Sequence, residues 1–135
     1  MNIKRYVIAG IAVFATFQIC DMVIHGRLLM KDYEALASMW RPDMMSLMWI
    51  MWITCAVLSF LFTYVFIKGY ESRGMLEGVR YGLIVGLMMN GVGAFNQYVL
   101  FPVPFVLAVK WFVFGMIEFI LAGAVVAAIY RPKAS

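Results

Sequence analysis

Eight polar side chains stand within or at the edges of otherwise apolar stretches of this 135-residue sequence, and their spacing sets what chemistry they could do together. Gln18, Asp21 and His25 follow one another at i, i+3 and i+7, so a helix places them on one face. Lys110 and Glu118 are i and i+8, again roughly one face, with Phe114 between them. Asn90 stands alone in a third stretch, and Asn96 and Gln97 follow near its end. Ionisable and polar groups in hydrocarbon are costly, and they mark ion pathways and proton relays. This set suits a path or pocket for a proton, an ion or a small polar solute, with Glu118 as the titrating group. It equally suits plain architecture. An Asp21–Lys110 ion pair and an Asn90–Glu118 hydrogen bond would fix helix register, such interhelical bonds contributing about 0.6–2 kcal/mol each.

Other chemistries find fewer residues. A single histidine excludes bis-histidine haem ligation within one chain. His25 with Asp21 supplies two ligands, short of a metal set. Met44, Met48 and Met51 form a stripe that could suit Cu(I), although methionines at helical spacing also serve as apolar packing. Cys20 and Cys55 lie in apolar runs without a CxxC, which fits buried filler. There is no H-E-x-x-H, G-x-S-x-G, Walker loop or G-x-G-x-x-G. The sequence therefore points to no enzyme, no metal and no cofactor.

The elements that position these residues follow from hydropathy. Hydrophobic residues make up 65% of the chain and charged residues 13%, with a mean hydropathy of +0.91. Soluble domains are about 45–50% apolar and about 25% charged, so both departures point to lipid. Four runs of near-spanning length emerge: Tyr6 to Ile24, Met44 to Ile67, Val79 to Phe101, and Phe105 to Tyr130. Backbone groups in hydrocarbon must satisfy one another, so each run is predicted to be a helix. The expected fold is an all-α membrane protein, a single domain over residues 1–135, built as a four-transmembrane-helix antiparallel bundle. Leu29, Tyr33, Leu36 and Trp40 predict a short amphipathic helix in the interface between the first two spans, ended by Arg41-Pro42. In the turn after the second span, Gly69 would end one helix and Ser72 would cap the next.

The third run carries a small or polar residue at every fourth position: Gly74, Gly78, Gly82, Gly86, Asn90 and Ala94. Four residues turn a helix by about 400°, so these positions stack into a shallow, slowly winding groove. Small residues in such a groove allow a second helix to approach closely. Gly74, Gly78, Gly82, Gly86 and Ala94 are the predicted helix-packing positions.

The net charge of +4 is no sign of nucleic acid, because the basic residues cluster at the ends of the runs. Lys4, Arg5, Lys68, Arg73, Arg80, Arg131 and Lys133 would share one side, and Arg27, Lys31, Arg41 and Lys110 the other. The excess predicts that both termini are cytoplasmic. The N-terminal run lacks an A-x-A-like site, so it reads as a retained span.

His25-Gly26, Leu28-Leu29 and Tyr33 after the first span, the run from Tyr81-Gly82-Leu83 to Gly86, and the closing Gly123 to Tyr130 resemble small four-helix bacterial membrane proteins known only as domains of unknown function. The resemblance covers most of the chain. It implies a bacterial inner membrane and brings no catalytic residue. The expected partners are the lipid bilayer and either another membrane protein or a second copy. The expected role is a packing, accessory or assembly subunit. The alternative is a small transporter or channel component using Glu118, Asn90, Asp21 and His25.

Overall fold

A computed structural model describes residues 1–131, which are all-helical, with no strand among the described residues. Lys133, counted above among the basic residues, lies outside them. Four stretches are long and apolar enough to cross a membrane: Ile3–Leu28, Met44–Lys68, Met75–Leu100 and Phe105–Ile129. The first comprises α1 (Ile3–Val23) and a π-helical turn over Ile24–Leu28. A six-residue α2 (Met30–Ala35) and a 3-10 turn over Ala37–Met39 follow. A second 3-10 turn, Met44–Leu47, leads into α3 (Met48–Lys68). Then come α4 (Met75–Leu100) and α5 (Phe105–Ile129).

Local chemistry sets the helix ends. Asn2 caps α1, its Oδ1 accepting from the Arg5 backbone N–H at 3.0 Å. α4 begins four residues earlier than the apolar run, and Ser72 does not cap it. Gly74 is the N-cap residue, with φ of +76°, a conformation that glycine adopts without strain. The missing side-chain cap is replaced by Glu77, which is buried and accepts from the backbone N–H groups of Glu71 and Arg73. Glu71 in turn pairs with Arg73 at 2.9 Å and Arg80 at 3.3 Å.

The most extensive helix contact is between α4 and α5. Contact positions rise along α4 as they fall along α5. Gly78 meets Gly123 and Ala127, Gly82 meets Phe119 and Ile120, Gly86 meets Phe119 and Met116, and Asn90 meets Gly115. A Cβ added at Gly82 would lie 2.9 Å from Ile120 Cα, so the two backbones touch directly. Gly123 makes the reciprocal approach, its added Cβ falling 3.0 Å from Gly82 Cα. Ala94 is also buried. Gly74 is not a packing position: it has φ of +76° and nothing within 4 Å of an added Cβ.

α1 packs against both α3 and α5. It contributes Ala9, Val13 and Phe17 at four-residue spacing to one core with Phe62 and Phe66 of α3 and Phe119, Ala122, Val126 and Ala127 of α5. Tyr81 joins α4 to α3, its phenol donating to the Phe62 carbonyl at 2.6 Å. The chain's two described ends meet, with the Asn2 N–H 3.4 Å from the Tyr130 Oη. We call this the terminal end of the bundle and the opposite one the His25 end.

Gly82→Ala should lower the melting temperature in detergent, because overpacking against backbone costs about 1–3 kcal/mol. Gly91→Ala should leave it unchanged or raise it slightly, since nothing lies within 4 Å of a Cβ there. Equal effects at the two positions would refute the close contact.

Candidate functional site

At the His25 end the chain turns back on itself. The π turn, in which the Leu29 N–H bonds the Ile24 carbonyl at 2.8 Å, redirects the helix so that Leu29 becomes fully buried. Leu29, Tyr33 and Leu36 pack around Val103 and Leu107, with Trp111 and Phe114 in the same cluster. The expected interfacial helix is thus present only as α2, and its apolar face covers protein. It stops at Ala35, well before Arg41-Pro42. The Tyr33 carbonyl accepts from the Leu36 N–H at 3.1 Å and from the Trp40 indole at 3.1 Å, which tightens the chain into a 3-10 turn.

Tyr33 is the centre of a polar network. The Trp111 indole N–H donates to its phenol oxygen at 2.9 Å. An indole can only donate, so the Tyr33 hydroxyl is left to donate in its turn to His25 Nδ1 at 2.5 Å. The two rings stack, with centroids 5.8 Å apart and planes 12° from parallel. In this tautomer His25 carries its proton on Nε2, which faces Asp21 Oδ1 at 3.6 Å. A directed chain therefore runs from Trp111 through Tyr33 and His25 to Asp21. Burial raises the Tyr33 phenol above the ordinary tyrosine range, the Trp111 hydrogen bond opposes this, and the Asp32 and Asp21 charges add to it.

Glu118 lies deeper and is 9% exposed. It stands one helical turn before Ala122, which packs in the core with residues of α1 and α3, and on that face its nearest acidic influence is Asp21 of α1. Among the described residues it has neither a hydrogen-bond partner nor a cation within ion-pair distance.

The structure rearranges the pairs expected from sequence. Lys110 does not meet Asp21; its Nζ bonds both carboxylate oxygens of Asp32, at 3.1 and 2.8 Å. Helical depth alone made Asp21 the natural partner, but the folded-back α2 brings Asp32 closer to the surface end of the lysine. Asn90 does not bond Glu118. Its amide donates to the Gly86 carbonyl at 3.0 Å, and its side chain rests on Gly115. Gln18 is half-buried and near Cys55. Asn96 and Gln97 are exposed and join no cluster. Sequence reasoning placed Tyr33 and Trp40 on an interfacial helix and did not join Trp111 to them in a network. The signal that they converge is carried by the π turn, which helical spacing does not foresee. Ser59 and Thr63, both fully buried, were also passed over; each hydroxyl bonds the carbonyl four residues earlier in its own helix.

Among the described residues no three His, Cys, Asp or Glu side chains converge as a metal site. Compared with known proteins, the chain matches no family model, no curated protein and no solved structure.

The raised Tyr33 phenol has a consequence at alkaline pH. Its contribution to stability is fully present below the ordinary tyrosine value of about 10 and is lost as pH rises through the higher folded value. Phenolate absorbance, taken as a difference from Tyr33→Phe, should show Tyr33 ionising later than a free tyrosine. Tyr33→Phe should also flatten the fall of melting temperature above about pH 10. A Tyr33 that titrates with the exposed tyrosines would contradict the network.

Proposed function

We propose that the protein is an integral membrane protein of four antiparallel spans that binds and exchanges protons at Glu118, as a small transporter or channel component. The observation that carries this reading is Glu118 itself: a carboxylate of a buried residue on the α5 face that packs with α1 and α3, without hydrogen bond or cation among the described residues, in the field of a second carboxylate. Two carboxylates that repel are relieved by sharing one proton. Asp21, His25 and Tyr33 continue from there towards the His25 end, where the polar network gives a proton successive sites. We place the chain in a bacterial inner membrane with both termini cytoplasmic. The meeting of Asn2 and Tyr130 supports termini on one side, and the excess of basic residues at that end supports the cytoplasmic side.

The second reading is a non-enzymatic packing or assembly subunit, bound to another membrane protein or to a second copy. Its support is the outer half of α3 and α4. Trp49, Met51 and Trp52 on one, and Val92, Asn96, Gln97 and Val99 on the other, are all exposed.

Glu118→Gln separates the two. It keeps size and hydrogen-bonding capacity and removes the titratable proton. Proton flux in proteoliposomes should be pH-dependent for the wild type and abolished by Glu118→Gln, with melting temperature retained. Flux unaltered by the substitution would exclude Glu118 as the proton site and favour the subunit reading.

A further inference from the structure

The two halves of the bundle differ in what fills them. Towards the His25 end from Glu118, the helices carry polar groups: Gln18, Cys20, Asp21 and His25 on α1, and Cys55 on α3. Lys110 on α5 and Asp32 and Tyr33 on α2 complete the charged and titratable groups at that end. Towards the terminal end, aromatic rings take over at once. Phe17 is one helical turn inward of Asp21, and Phe119 is the residue after Glu118. Their ring centroids are 5.1 Å apart. Phe62 of α3 closes the group, 5.9 Å from Phe17 and 5.8 Å from Phe119. All three are buried.

This triad is the head of a longer aromatic series. Phe62 contacts Tyr81 at 4.6 Å, Tyr81 contacts Phe66 at 5.4 Å, Phe66 contacts Tyr70 at 5.6 Å, and Tyr70 contacts Tyr130 at 5.8 Å. Every helix that spans contributes to it, from just below Glu118 to the terminal end. The buried hydroxyls of Ser59 and Thr63 on α3 are turned back onto their own helix, and the Tyr81 hydroxyl is committed to the Phe62 carbonyl. A dry, apolar constriction blocks ions and protons because it holds no water to conduct them.

We infer that Glu118 is reached from the His25 end only, and that Phe17, Phe62 and Phe119 form the barrier separating it from the terminal end. The ligand is the hydrated proton. Passage to the other side then requires the triad to part. This inference rests on Glu118 being the proton site, and the experiment keeps the two apart.

Protein reconstituted in liposomes is given a pH gradient with a potassium–valinomycin clamp, and passive proton leak is read with an enclosed pH dye. Phe62→Ala and Phe119→Ala should each raise leak about tenfold or more, the change produced when a barrier falls by about 1.4 kcal/mol. Phe119→Leu, which refills the space, should stay near wild type. Adding Glu118→Gln to either alanine variant should abolish the extra leak. Leak that stays at the wild-type level in both folded alanine variants, while Glu118→Gln still abolishes wild-type flux, overturns the barrier and leaves the proton site standing. Extra leak that survives Glu118→Gln overturns the site as well. If the alanine variants do not fold, a pH step on one face of oriented wild-type vesicles decides the matter. The Glu118 carboxyl infrared band, identified by its loss in Glu118→Gln, should respond to a step at the His25 face and not at the terminal face; equal response from both faces overturns the inference.

Discussion

The backbone contact between α4 and α5 is the constraint on which the rest of the structure depends. Gly78, Gly82 and Gly123 carry no side chains, so the two helices meet main chain to main chain. Lipid tails are as apolar as leucine, and a helix pair in lipid gains little from burying apolar area as such. Close approach gains dispersion contacts instead. It also fixes rotation. With the glycine face of α4 turned to α5, the helix directs Tyr81 towards α3, where it lodges against Phe62 and Phe66. α5 has the opposite task. Its Gly115–Phe119–Gly123–Ala127 row serves α4, while Glu118, Ala122 and Val126 are left for the remaining space. Glu118 is therefore enclosed as a consequence of register at the glycine contact.

The same register divides the bundle along its length. At the terminal end, aromatic rings from α1, α3, α4 and α5 interlock, and the cap built by Glu77 holds the α3–α4 turn against them. At the His25 end α3 exposes Trp49 and Trp52, while α4 keeps to α5 through Phe95 and Tyr98, which contact Phe105 and Phe112. α1 and α5, with α2 folded over them, form a second core there. The interlocked aromatic rings lie at the terminal end, and Asp21, His25 and Tyr33 lie at the other. That distribution suits a site that exchanges a small ligand with one face.

Much of the fold is legible in the sequence because lipid simplifies the rules. Runs of apolar residues near the spanning length, a charge-free second run, and a glycine at every fourth position each have a direct physical meaning. Helix ends were less legible. Ser72 is a good capping residue by type, yet the turn takes Gly74 at the cap and recruits Glu77 from within α4. The site was legible in its members and not in its pairings. Depth along a helix places Asp21 and Lys110 at a similar level, but it says nothing of the π turn, which swings Asp32 and Tyr33 back over α5. Nor does helical spacing show that Asn90 is taken up by Gly86 and Gly115 before it can meet Glu118. Pairings depend on rotation and on connecting turns, which the apolar pattern leaves undetermined.

The fate of Lys110 bears on what the carboxylates are for. A lysine near the start of α5 can extend its long stem towards the interface and keep its ammonium near water. It does so here by pairing with Asp32, 29% exposed at the side chain. Lys110 is thereby committed to Asp32, and among the described residues neither Asp21 nor Glu118 has a lysine or arginine within ion-pair distance. A bundle that needed only register would be served at least as well by apolar residues, because burying charged groups costs several kcal/mol each. Asn90 packs its side chain against Gly115 of α5 and satisfies its amide within α4, on the Gly86 carbonyl, at lower cost. Two acids on α1 and α5, with Lys110 committed to Asp32, are poor glue. On the proposed function they would hold one proton between them, with His25 Nε2 3.6 Å from Asp21 Oδ1 and the Tyr33–His25 hydrogen bond leading outward from there.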